Sequence, residues 1–100
     1  MQVFAVLELR ADASKDELAR VMEEEELYLW REVVSDRVRS VWSLRERLGG
    51  IALLEVKDPE DAQAVISAMP AVRSGLVAFT LEPVGPFRGW EVLFKSGVKP

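Results

Sequence analysis

The order of hydrophobic periodicities in this 100-residue chain predicts an α+β fold: a four-stranded antiparallel sheet with two helices on one face. Three observations carry that expectation. Four short runs rich in Val, Leu, Ile and Phe have strand length, and two segments have helical spacing with start signals. They also follow one another as β-α-β-β-α-β, the ferredoxin-like order. One domain fills a chain of this length.

The first run, "QVFAVLELR" (2–10), is apolar and ended by charge, as a strand is. In "ADASKDELARVMEEEELYLWREVV" (11–34), Ser14 followed by Glu17 forms a capping box, with Asp12 as a competing cap. "DRVRSVWSLRER" (36–47) alternates: Val38, Ser40, Trp42 and Leu44 share one face, and Arg37, Arg39, Val41, Ser43 and Arg45 share the other. "LGG" (48–50) then supplies a turn, and "IALLEV" (51–56) completes a hairpin over 37–56. The second helix lies in "KDPEDAQAVISAMP" (57–70), with Asp58 as cap, Pro59 at the first helical position and Pro70 as stop. "GLVAFTLEP" (75–83) reads as the last strand of a domain spanning 1–84. Residues 85–100 form a C-terminal arm whose "WEVLF" predicts a short extra strand; Phe87, Trp90, Leu93 and Phe94 are too apolar for a free tail, so the arm is expected to pack on a partner subunit, the alternative being that it folds back over its own sheet.

Composition narrows the function classes. Hydrophobic residues make up 49% and charged residues 30%, a globular balance. A net charge of −4 disfavours nonspecific nucleic-acid binding, since no basic excess displaces counterions. The absence of cysteine excludes disulfides and thiol chemistry, and the absence of histidine removes the commonest base and metal ligand. No carboxylate cluster has metal-loop spacing and no glycine-rich phosphate loop is present, so neither metal nor cofactor is expected. With no transmembrane run or basic, apolar leader, a soluble cytoplasmic protein is expected, without a membrane partner.

The run Glu23–Glu26 raises a sharper question. Leu18, Val21, Met22 and Leu29 lie on one helical stripe and Glu25 falls in its middle, so one carboxylate of the four is aimed at the sheet. Burial raises a carboxyl pKa, and a glutamate tuned toward neutrality is a usable general acid or base. A salt-bridged glutamate at the helix–sheet margin is the alternative. Leu27, Trp30 and Val34 form a second apolar patch. The third and fourth strands are apolar on both faces, whereas two helices cover only one, so a homodimer or larger homo-oligomer pairing sheet to sheet is expected.

Taken together, the first-helix glutamate, "RSVW", "LLEV" and "ISAMP" resemble the muconolactone delta-isomerase family. The resemblance is ungapped from Glu25 to about Pro70 and looser over 1–84. It implies a dimeric α/β barrel built through the sheets, and a double-bond shift in a carboxylate-bearing lactone by proton transfer without metal or cofactor. Glu25 falls on the family's glutamate, while Arg39 and Trp42 fall on an arginine and a tryptophan of its W-R-H-L-W-R stretch. Pro70 falls on a proline of L-P-L-F-P-Y. The family's histidine is Ser40 here, its next arginine Ser43, and its tyrosine and asparagine are Leu48 and Gly50.

The expected function is therefore a cofactor-free isomerase acting on a small carboxylate-bearing lactone or enolisable compound. Glu25 would shuttle the proton, Arg39 would bind an anion, Trp42 would wall the pocket and Tyr28 would donate to an enolate oxygen. Each has a plainer role: Arg39 pairing with Glu8, Glu55 or Glu82, Trp42 in the core, Tyr28 at an interface. Alternatives are a noncatalytic ligand-binding or structural module, and, by analogy alone, a cofactor-free monooxygenase.

Overall fold

The computed structural model describes residues 1–95 and 97. Its elements are β1 (Gln2–Leu9), α1 (Lys15–Val34), β2 (Val38–Ser43), β3 (Gly49–Glu55), α2 (Pro59–Ser67), α3 (Pro70–Arg73), β4 (Val77–Val84) and α4 (Glu91–Lys95). The strands lie in the order β2-β3-β1-β4, every neighbouring pair antiparallel, and the sheet does not close on itself. This is the expected ferredoxin-like arrangement with two additional short helices.

Local chemistry sets the helix starts. Ser14 Oγ accepts from the Glu17 N–H at 3.1 Å while Glu17 Oε1 accepts from the Ser14 N–H at 3.2 Å, so the capping box forms. Asp12 pairs with Arg10 instead. Asp58 Oδ1 accepts from the Asp61 N–H at 2.8 Å, directly ahead of Pro59, and starts α2.

The core lies between the helices and one face of the sheet. Val3 of β1 and Leu54 of β3 are cross-strand partners with no exposed surface, and Ile66 of α2 is 1% exposed in the same cluster. Burying such side chains stabilises by roughly 1.5–3 kcal/mol each. Gly49 has φ of +154°, and a Cβ there would stand 2.2 Å from the Leu7 carbonyl oxygen. Only glycine lets β3 approach β1 so closely.

Three expectations are corrected. A bulge between Val38 and Ser40 shifts the β2–β3 register, so the uninterrupted alternation expected over 37–45 fails. Val38 and Val41 both pair with helix-side residues, Leu54 and Ala52, whereas Trp42 pairs with Ile51 on the other face. Pro70 stops α2 but also opens α3: Met69 is extended (φ −62°, ψ 131°), the conformation that a following proline imposes, and the chain then re-enters a helical turn. The "WEVLF" segment contributes the short helix α4 rather than a strand. Of the 85–100 arm, residues 96 and 98–100 lie outside the described residues. Within the rest, Phe87 meets Trp90 edge-on at 5.4 Å, and Phe87, Trp90 and Phe94 are exposed.

On the sheet face without helices, Phe4, Val6, Ile51 and Leu53 remain half-buried, and the Trp42 ring lies 6.3 Å from that of Phe4. Leu27, Trp30 and Val34 on α1 are likewise exposed. No described helix is long and apolar enough to cross a membrane.

Candidate active site

A cavity of about 290 Å³ lies between α1, α3 and the helix-covered side of the sheet. Helix α1 lines it with Leu18, Met22 and Leu29, the sheet with Leu7 and Ala52, and the α2–α3 corner with Met69. These are the apolar positions of the stripe expected on α1. Two carboxylates also reach this wall, Glu25 and Glu26; Glu26 is exposed and Glu25 is 7% exposed. The helical stripe thus brings one glutamate of four inside.

The corner at Pro70 explains what holds Glu25 there. Proline has no N–H, and Met69, at the cap position of α3, supplies no side-chain cap, so Ala71 carries the first backbone donor of that turn. Glu25 Oε2 accepts it at 2.6 Å from 46 residues away in sequence. Oε1 is shielded from solvent and has no hydrogen-bond partner among the described residues. Burial pushes the Glu25 pKa up; the Ala71 N–H opposes that shift, and the neighbouring Glu26 charge adds to it. Desolvation shifts such a carboxyl toward its neutral form, and the unpartnered oxygen is the one free to exchange a proton.

The other candidate residues lie elsewhere. Arg39 is the exposed residue at the β2 bulge, outside the cavity wall and without an ion pair among the described residues. Trp42 borders the cavity between Val41 and Ser43, while its ring packs on Phe4 across the sheet. The Tyr28 hydroxyl donates to the Val65 carbonyl at 2.7 Å, tying α1 to α2. Its pKa is pushed up by burial first and then by the Glu32 charge, with Arg37 opposing. Glu25 alone of the four therefore presents a titratable group to the cavity.

Sequence reasoning missed two partners. Glu32 is 5% exposed and is paired with Arg37 at 2.5 Å. It follows Glu25 by seven residues, two helical turns, so the stripe that singled out Glu25 also selects Glu32. The Ala71 N–H was legible only by reading Pro70 as a helix start as well as a stop. Among the described residues no cluster of acidic side chains is arranged to hold a metal ion.

No family profile matches the chain, and no curated protein matches it by sequence. Solved structures do match by fold. A muconolactone isomerase superposes with a TM-score of 0.73 at 11% identity, over 89% of this chain and 93% of that one. The 5-chloro-2-hydroxyhydroquinone dehydrochlorinase of Burkholderia phenoliruptrix, solved with 2,5-dihydroxybenzoquinone, gives a TM-score of 0.73 at 13% identity, over 88% of this chain and 97% of that one. At such identities the likeness is one of fold. With its open four-stranded antiparallel sheet and helices on one face, the chain has the muconolactone isomerase-like α+β fold.

Proposed function

We propose that the protein is a cofactor-free proton-transfer isomerase for a small, largely apolar lactone or enolisable compound, with Glu25 as the proton shuttle. The observation that carries this reading is the buried Glu25 carboxyl, one oxygen fixed by Ala71 and the other unpartnered, in the wall of an apolar cavity. Fixing one oxygen orients the other, and burial raises its proton affinity above that of an exposed carboxylate, which makes it a stronger base. At about 290 Å³ the cavity is at the small end of ligand pockets. The two structural neighbours, by name a lactone isomerase and a hydroquinone dehydrochlorinase, support a substrate of that size. Tyr28 serves here as a brace between helices.

The experiment is deuterium incorporation from D2O into β,γ-unsaturated lactones and enolisable ketones, followed by proton NMR. Glu25→Gln should slow exchange by roughly 10²–10⁴-fold. Exchange that is unchanged in that variant ends the proposal. The Ala71 hydrogen bond favours a second reading, in which Glu25 is only a helix cap and the cavity a noncatalytic binding site; this reading expects no catalysed exchange from either protein.

A second copy of the chain is the partner we propose for the uncovered sheet face. The half-buried row Phe4, Val6, Ile51 and Leu53, flanked by Trp42, supports it.

A further inference from the structure

The wall of the Glu25 cavity is buried on one side and open on the other. Its exposed members are Glu26 on α1, Val41, Trp42 and Ser43 on β2, and Leu48 between β2 and β3. Strand β2 is an edge of the sheet, so the cavity meets solvent between that edge and α1. Glu26 is the only charged residue at this mouth, and Ser43 carries the only hydroxyl of the wall, among the described residues. Glu26 has no ion pair among those residues. Its neighbours three and four positions away on α1 are Met22, Glu23, Leu29 and Trp30, none of them cationic.

The charge at the mouth acts on what lies inside. Burial comes first in raising the Glu25 pKa and the Ala71 N–H opposes it, but the Glu26 charge adds to the rise. A ligand anion in the same space would meet the same field. It would also face Glu25 itself, and no lysine or arginine among the described residues belongs to the wall. Its hydration would be lost without a partner, which costs a carboxylate far more than a ketone or lactone carbonyl. A carbonyl oxygen needs only a neutral donor, and the Ser43 hydroxyl or a protonated Glu25 can be that donor.

We infer that the Glu25 cavity takes uncharged carbonyl compounds and turns carboxylates away, with Glu26 as the specificity-determining residue at its mouth. This selectivity rests on the proposed function for the choice of cavity, and it narrows the substrate of that site to a neutral ketone or lactone. Such a substrate differs from the carboxylate-bearing lactone that the sequence resemblance implies. The difference lies in the wall: two carboxylates, one hydroxyl and otherwise apolar surface leave nothing to offset a negative charge. Arg39, outside the wall, does not supply the missing cation.

The test measures, at neutral pH, the affinities of 4-phenyl-2-butanone and its anionic isostere 3-phenylpropanoate, read from the methyl NMR shifts of Met22 and Met69 in the wall. The ketone should bind more tightly than the acid by roughly tenfold or more, because the carboxylate is desolvated without a partner. Glu26→Lys should lower that ratio by roughly tenfold, the scale of exchanging one exposed like charge for an opposite one. Should that variant fail to fold, Ser43→Lys puts a cation on the opposite lip and should lower the ratio in the same direction. Glu25→Gln should keep the preference for the ketone, since Glu26 stays charged and the wall still holds no cation. A charge filter that survives there while deuterium exchange is unchanged would separate this selectivity from the role of Glu25 in proton transfer. Binding of the acid as tightly as the ketone, a ratio unmoved in folded Glu26→Lys, or no binding of either compound by the native protein would each overturn the inference.

Discussion

Comparing Glu25→Gln with Glu25→Ala separates the two things this side chain does. Glutamine keeps a carbonyl oxygen for the Ala71 N–H but cannot ionise; alanine removes the acceptor as well. The difference between the variants therefore isolates the hydrogen bond that caps α3. Leaving a buried donor unpaired costs about 1–3 kcal/mol. Because the adjoining cavity is roomy enough to admit water to that donor, the lower half of the range applies, and alanine should be less stable than glutamine by about 1–2 kcal/mol. For a domain of this size each kcal/mol shifts Tm by about 4–8 °C, so the two melting curves should be separated by roughly 5–15 °C at pH 7. Circular dichroism melts and urea midpoints measure it. Coincident curves would show that Ala71 is satisfied some other way and that Glu25 is not the cap.

The same pair of proteins fixes the sign of the pH dependence. The folded-state pKa of Glu25 is raised, chiefly by burial, so the native state binds the proton more tightly than the unfolded chain. Its stabilising contribution is complete below the ordinary carboxylate pKa of about 4.3 and is lost as pH rises through the raised value. Native protein should thus lose stability relative to Glu25→Gln over that window. A native protein that gains on the glutamine variant with rising pH would mean that the Ala71 hydrogen bond outweighs desolvation.

Two further outcomes bear on the residues outside the cavity. Tyr28→Phe should destabilise by about 1 kcal/mol in urea titration through loss of the bond to Val65, and leave deuterium exchange untouched; a matching loss of exchange would return Tyr28 to the chemistry. Trp42→Arg, which puts a charge beside Phe4 on the uncovered face, should convert a sedimenting dimer to monomer. A native protein that sediments as a monomer at micromolar concentration would remove the second copy from the account.

The residues where sequence reasoning succeeded and failed differ in kind. Glu25 could be placed because a helix has a fixed period and Leu18, Met22 and Leu29 mark its inner stripe. Trp42 and Arg39 could not, because a bulge shifts everything beyond it to the opposite face, and nothing local in "RVRSVW" announces one. The arm failed for another reason: "WEVLF" has strand composition, yet a short segment with no strand beside it has no ladder to join. Glu32 was legible from the stripe and was overlooked.

By itself the sequence determined what depends on neighbours along the chain. That includes the order of strands and helices, the capping box at Ser14, the cap at Asp58, and the inward aim of one glutamate among four. All of these follow from backbone periodicity and side chains a few residues apart. Tertiary structure alone decided that Glu25 caps α3 through Ala71 and that its second oxygen is left without a partner among the described residues. Those facts come from packing α1 on the Pro70 corner. No local propensity encodes such contacts, because each depends on where a distant segment comes to rest.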